Sequence, residues 1–230
     1  ATWAHRTRQL GGVLDALGVS AQGRVGTFAW NTARHLELYF AAPCSGRVLH
    51  TLNIRLFPEQ LTYIVNHAED EVIFIDKSIF GLIAPLLETF TTVKHLIVMD
   101  DGKGDAPTSV KGFEVHDYEH LLAASQPSEF VAPDENQAAS MCYTSGTTGN
   151  PKGVVYSHRS TFLHTMGAMT VDSLGARESD VILPVVPMFH ANAWGLAHAA
   201  VGAGASLVMP GPDLSGAAIA NLIVEEKVTV

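Results

Sequence analysis

The sequence predicts an α/β fold built on parallel strands. Short apolar runs alternate with longer segments of helical periodicity along most of the chain, the pattern of repeated β-α units. Of the 230 residues, 47% are hydrophobic and only 16% charged, which is enough for a sizeable core and excludes a disordered chain. That length suits one large domain or two subdomains sharing a core.

The elements follow in order. Residues 3–17 place Trp3, Leu10, Val13, Leu14 and Leu17 at helical spacing. Residues 24–30 read as a strand, and 32–42 as a helix with Asn31 as its N-cap. A short strand is expected at 48–52. A helix with a proline near its start is expected at 58–67. Strand 71–76, helix 79–88 and strand 95–100 continue the alternation, and 101–112 is a polar loop. Residues 126–137 carry two prolines and several acids and read as a connector between subdomains, 1–138 and 139–230. Beyond it, strands at 139–143 and 153–156 flank a glycine-rich run. Helix 158–174, with Ser157 as N-cap, strand 181–185, a helix across 194–201, strand 206–209, helix 214–226 and a last strand complete the pattern.

The net charge is −9 with no lysine or arginine cluster, which argues against a nucleic-acid surface. Cys44 and Cys142 lie far apart and make no Cys-x-x-Cys pattern, so a reducing cytosol is the expected compartment. No apolar stretch reaches transmembrane length and no signal peptide opens the chain. Both ends read as cut, which points to a fragment of a longer protein.

The run from Tyr143 to Gly153, Tyr-Thr-Ser-Gly-Thr-Thr-Gly-Asn-Pro-Lys-Gly, concentrates hydroxyls, three glycines and one lysine. A packed core has no need of that composition, but a loop that wraps phosphate does. Glycines let backbone N–H groups approach an anion, hydroxyls donate to phosphate oxygens or ligate Mg²⁺, and lysine adds a mobile positive charge. It is not a Walker A loop, because Lys152 is followed by Gly153 and not by serine or threonine. A second run, from Pro184 to Trp194, sets His190 behind Phe189 in an apolar, proline-bearing segment. Its place after a strand puts it where parallel sheets gather functional side chains. A third, Leu49-His50-Thr51-Leu52-Asn53-Ile54-Arg55-Leu56, reads as turn formation and packing at Asn53 and Arg55. Arg47, just before an apolar strand, has no account from sequence.

Thr144 to Gly153 resembles, at every fixed position, the phosphate-binding signature [ST]-[ST]-G-[ST]-T-G-x-P-K-G of the adenylate-forming, AMP-binding superfamily. The Phe189-His190 pair is similar to that superfamily's aromatic motif. Leu52 to Leu56 resembles the L-N-x-R-L element of long- and medium-chain fatty acyl-CoA synthetases, with Ile54 where proline is common. The resemblance implies layered parallel-rich sheets flanked by helices, and a piece of the large N-terminal domain of such an enzyme. It implies ATP and Mg²⁺ as cofactors and CoA as co-substrate. A fatty acid would be converted to an acyl-adenylate and then to an acyl-CoA thioester. Thr144 would lie nearest Mg²⁺, with Ser145, Gly146, Thr147, Thr148 and Gly149 lining the phosphates and Lys152 reaching toward them. His190 would lie beside the substrate carboxylate and adenylate. Trp194 reads either as core packing or as a wall of the acyl tunnel, four residues on and on the same helical face. The resemblance leaves open a homodimer and peripheral membrane contact. The later Tyr-Gly-x-Thr-Glu element is missing, so the fragment by itself is expected to be inactive or nearly so. An aryl-CoA or carrier-protein ligase, or a non-catalytic nucleotide- or acyl-binding module, stays open as an alternative.

Overall fold

In the computed structural model, residues 2–144 and 149–230 are described. Helix α1 (Thr2–Ala16) leads into strand β1 (Arg24–Phe28), helix α2 (Ala33–Cys44), strand β2 (Val48–Thr51), helix α3 (Pro58–Ala68) and strand β3 (Asp70–Asp76). Then come the short helix α4 (Phe80–Ile83), strands β4 (His95–Met99) and β5 (Glu114–Asp117), and helix α5 (Tyr118–Ala124). Strands β6 (Ala138–Thr144) and β7 (Lys152–Ser157) bracket the glycine-rich run. Helix α6 (His158–Ala168), strand β8 (Val181–Ile182), helix α7 (Leu196–Ala203), strand β9 (Ser206–Leu207) and helix α8 (Gly216–Glu225) complete the chain.

Among the described residues, one sheet has the order β5-β4-β3-β1-β2-β6-β7. Every neighbouring pair is parallel except β6 and β7, which run antiparallel as the arms of a hairpin. The central strands are buried on both faces, as an α/β sheet requires. Val25, Leu49, Val72, Phe74 and Ile97 pack with α1, α2 and α5 on one face. Phe28, Ile73, Ile75, Leu96 and Val98 pack with α3 and α4 on the other. The α/β fold with a mostly parallel sheet flanked by helices is thus the one the sequence predicts.

The change of sheet falls later than expected. Strands β6 and β7 extend the first sheet, so the connector at 126–137 joins strands of one sheet and the 138/139 boundary is not a sheet boundary. The second sheet is the small parallel pair β8–β9. Residues 229–230 run beside β8, with Thr229 N donating to Val181 O and Leu183 N donating to Val230 O, both at 2.9 Å.

Other differences have local causes. The helix expected at 79–88 is broken into α4 between two 3₁₀ segments, Lys77–Ile79 and Ala84–Thr89. Pro85 lies in the second of these and has no N–H for a continuous ladder. Helix α6 stops at Ala168 instead of reaching 174. Strand β8 covers two residues instead of five, and Pro184 follows within two. The cap of α2 is Thr32, whose side chain accepts from His35 N, and not Asn31. Ser157 does cap α6, accepting from Ser160 N. Strand β5 and α5 were not foreseen, because Glu-Val-His-Asp is short and mostly polar. There Asp117 caps α5 by accepting from His120 N.

Arg47 is buried before β2 and fully partnered. Its guanidinium donates from Nε and Nη2 to Val19 O and from Nη1 to Ser45 O, and pairs with Asp15 at 2.7 Å. A buried cation satisfied in this way ties β2 to the loop after α1.

Candidate active site

The site is built at the carboxyl ends of β1, β2 and β6. Past the end of β1, Asn31 is buried and uses its whole amide. Its Nδ2 donates to Pro184 O at 2.6 Å and Val186 O at 2.9 Å, and its Oδ1 accepts from Met188 N at 2.8 Å. The buried Tyr39 hydroxyl of α2 donates to Met188 O. These bonds pin the proline-bearing segment 184–188, which has little regular structure to satisfy its own backbone. Phe189 then enters the core, and the Arg55 guanidinium lies over its ring, 5.6 Å from the centroid. Asn53 Oδ1 accepts from Arg55 N at 3.0 Å, so the expected turn and packing roles of Asn53 and Arg55 both hold.

His190 is exposed and follows a turn, with its N–H donating to Pro187 O at 3.1 Å. It does not end a strand, since β8 stops eight residues earlier, at Ile182. The helical spacing assumed between His190 and Trp194 is also replaced. Ala191, Asn192, Ala193 and Trp194 have φ between 44° and 55°, and Gly195 has φ 73°, so a left-handed turn precedes α7. Each non-glycine residue in that conformation costs about 1–2 kcal/mol. The turn is held from three sides. Ala193 N donates to His190 O at 3.1 Å, the Thr51 hydroxyl at the end of β2 donates to Asn192 Oδ1 at 3.4 Å, and His164 Nε2 of α6 donates to Trp194 O at 2.8 Å. A side chain at Gly195 would meet the His164 ring, 2.5 Å from where its Cβ would stand.

Two adjoining cavities lie between β6, α6 and α7. One, of about 320 Å³, is bounded by Ser140, Tyr156, His164, Asn192, Trp194 and His198. The other, of about 400 Å³, is bounded by Tyr39, Phe40, Phe162, Met166, Met169 and His198 and is largely apolar. Ser140, Thr161 and His198 face both. Burial pushes the His198 imidazole down to about 4, and His164 adds to the effect, so it is neutral at pH 7. Burial, with Cys142 beside it, pushes the Tyr156 hydroxyl up to about 12, so it keeps its proton. Trp194 is 63% exposed, which removes the core-packing reading.

Thr144 closes β6 opposite Lys152, the first residue of β7, and both are exposed. The glycine-rich run therefore spans the hairpin at the carboxyl edge of the sheet. Gly149 has φ 93°, a conformation that favours glycine. Ser145, Gly146, Thr147 and Thr148 lie outside the described residues. The structure thus brings Trp194 to the cleft and Thr144 and Lys152 to one hairpin, and leaves His190 outside the linings of these cavities. Sequence reasoning missed Asn31, His164 and His198 as parts of the site. No sequence signal bore on the two histidines, because helical periodicity does not say which helices face each other.

The family of AMP-binding enzymes matches residues 1–230, the whole chain. The chain belongs to this family. Over 227 residues it is 49% identical to a 3-methylmercaptopropionyl-CoA ligase of Ruegeria lacuscaerulensis, covering 99% of this chain and 42% of that protein. It is 46% identical to a medium-chain-fatty-acid–CoA ligase of Ectopseudomonas oleovorans, covering 98% of this chain and 41% of that protein. Among solved structures, a long-chain-fatty-acid–CoA ligase from Archaeoglobus fulgidus superposes with a TM-score of 0.83 at 22% identity, covering 99% of this chain and 43% of that one, and this likeness shows the fold. Within the family, then, the chain spans about 42% of the length of the curated relatives it matches.

Proposed function

We propose that the protein carrying this chain is an AMP-forming fatty acid–CoA ligase. ATP sits on the loop 144–153, and the fatty acid enters with its carboxylate near His190 and its alkyl chain in the cleft between α6 and α7. A carboxylate oxygen attacks the α-phosphorus, pyrophosphate leaves, and the CoA thiol then takes the acyl group while AMP departs. This chain's residues act mainly by positioning and by neutralising charge, the two needs of phosphoryl transfer. The exposed Thr144 hydroxyl would offer a protein oxygen to a phosphate-bound Mg²⁺, which takes most of its ligands from phosphate and water, and that ion would neutralise the triphosphate. The cytosol is the compartment we assign, in keeping with two free cysteines.

One observation carries the reading. A largely apolar cleft adjoins β6, the strand whose carboxyl end leads into the loop 144–153, which supports an acyl chain and a triphosphate being held on the same strand. A second reading rests on the identity of 49% and 48% to two Ruegeria 3-methylmercaptopropionyl-CoA ligases. It makes the acid a short thioether acid in the same cleft. The whole protein, given ATP, CoA and a panel of acids, decides between them by mass of the thioester formed. Medium- and long-chain fatty acids turned over best support the first reading, and 3-methylmercaptopropionate turned over best supports the second. Aromatic acids or carrier-protein thiols alone as substrates, or no thioester at all, contradict both.

A further inference from the structure

Strands β4 and β5 carry a second group of chemically active side chains at their amino ends. His95 and Glu114 are the first residues of their strands and stand opposite each other in the parallel register, with His116 two residues beyond Glu114. Alternation along a strand puts all three side chains on one face. His95 and His116 are mostly buried, while Glu114 is exposed.

The distances among their donor atoms are informative. His95 Nδ1 and His116 Nε2 are 3.4 Å apart, His95 Nδ1 and Glu114 Oε2 are 3.4 Å apart, and His116 Nε2 and Glu114 Oε2 are 3.7 Å apart. A charge-assisted hydrogen bond would draw nitrogen and oxygen to about 2.7–2.9 Å. These contacts are all longer and nearly equal, so the three atoms converge on a common centre more than on one another. A tetrahedral metal with ligands at about 2.0–2.2 Å sets those ligands about 3.3–3.6 Å apart. Two imidazole nitrogens facing each other are also hard to reconcile with two hydrogen-bond donors, whereas both can offer a lone pair to a cation.

We propose that His95, Glu114 and His116 bind a divalent transition-metal ion, Zn²⁺ by the tetrahedral spacing, with water as the fourth ligand. Two imidazoles and one carboxylate are a donor set that such ions accept. The ion is structural. It joins β5, the edge strand, to β4 and steadies the start of α5. The site is independent of the nucleotide loop: β4 and β6 are separated by β3, β1 and β2, and the loop lies at the opposite, carboxyl end of the strands.

Cobalt(II) is the probe, because a four-coordinate nitrogen–oxygen site gives it visible absorption. The purified protein, stripped with a chelator, is titrated with Co²⁺ and then with Zn²⁺ in competition. One equivalent of Co²⁺ with four-coordinate absorption, displaced by Zn²⁺, is expected, together with a rise in Tm on adding Zn²⁺. Glu114→Gln and His116→Gln should each weaken binding by at least about tenfold and abolish the Zn²⁺-dependent rise in Tm. Glu114 is exposed, so its variant should keep the metal-free Tm of the wild type and separate lost ligation from lost folding. Unchanged cobalt spectra and affinity in the Glu114 and His116 variants would overturn the proposal. So would a wild-type protein that binds no stoichiometric Co²⁺ or Zn²⁺.

Discussion

Asn31 and Met188 are joined across 157 residues by a hydrogen bond of 2.8 Å from the Met188 N–H to the Asn31 side-chain oxygen. The same side chain receives no help from regular structure and gives none to α2. Its role is to hold the segment that delivers Phe189 and His190 to the carboxyl end of the sheet.

Replacing Asn31 with Ala removes three hydrogen bonds and leaves a buried N–H and two carbonyls without partners. The expected loss of stability is about 2–4 kcal/mol, read as a lower urea midpoint at unchanged slope. Asn31→Asp keeps the acceptor but loses both donors and adds a charge facing two carbonyls, so it should be no better. A midpoint within error of wild type for both variants would show that the segment is held by other means.

How much of this was legible beforehand depended on the range of the interaction. The β1–α2–β2 and β3–β4 units were readable because their apolar periodicity is local. The hairpin of β6 and β7 was readable because its glycine- and hydroxyl-rich run lies between two apolar segments. Asn31 was not, since an asparagine just before a helix is an ordinary cap and its true partners lie 153 to 157 residues away. The left-handed turn at 191–195 was hidden as well. Ala and Trp carry no signal for positive φ, and only Asn192 and Gly195 hint at it. The trio on β4 and β5 escaped because His95 and His116 are far apart in sequence and meet only through parallel register.

His35 makes the folded state sensitive to acid. Its Nδ1–H donates to Trp30 O at 2.9 Å and its Nε2 accepts from the Thr27 hydroxyl at 2.9 Å, which fixes the neutral tautomer. Burial pushes it down to about 4 from its ordinary 6.5. Above 6.5 its contribution is fully present. Between 6.5 and 4 the unfolded chain takes up a proton that the folded chain refuses, so stability falls with pH by up to about 3 kcal/mol. Asp76, pushed up to about 7 by burial, works the other way, losing its contribution as pH rises through 7. The difference between wild type and His35→Gln isolates the histidine. Urea unfolding from pH 7 to pH 4 should show that difference moving against the wild type by about 3 kcal/mol. A difference constant with pH would contradict the assignment.

Trp194 should set chain-length preference without affecting nucleotide affinity. Its indole is exposed at a cleft whose far end is bounded by Phe162, Met166 and Met169. A buried methylene gains about 0.8 kcal/mol, so the shape of the cleft can discriminate severalfold per carbon. Trp194→Ala in the whole protein is expected to change the ratio of long- to short-chain kcat/KM while leaving the KM for ATP within about twofold. An equal fall for every acid, or a collapse in ATP affinity, would place Trp194 outside the acyl site.

The central claim is that the hairpin loop beginning at Thr144 holds ATP for attack by a carboxylate. Acid-dependent exchange of labelled pyrophosphate into ATP measures that step alone, without CoA. The whole protein should catalyse exchange only when a fatty acid or thioether acid is present. Thr144→Ala should lower it by about tenfold or more, the scale of one lost transition-state hydrogen bond of roughly 1.5–3 kcal/mol, with unfolding midpoints unchanged. Exchange at the wild-type rate in Thr144→Ala, or no exchange by the wild-type protein with any acid, would contradict it.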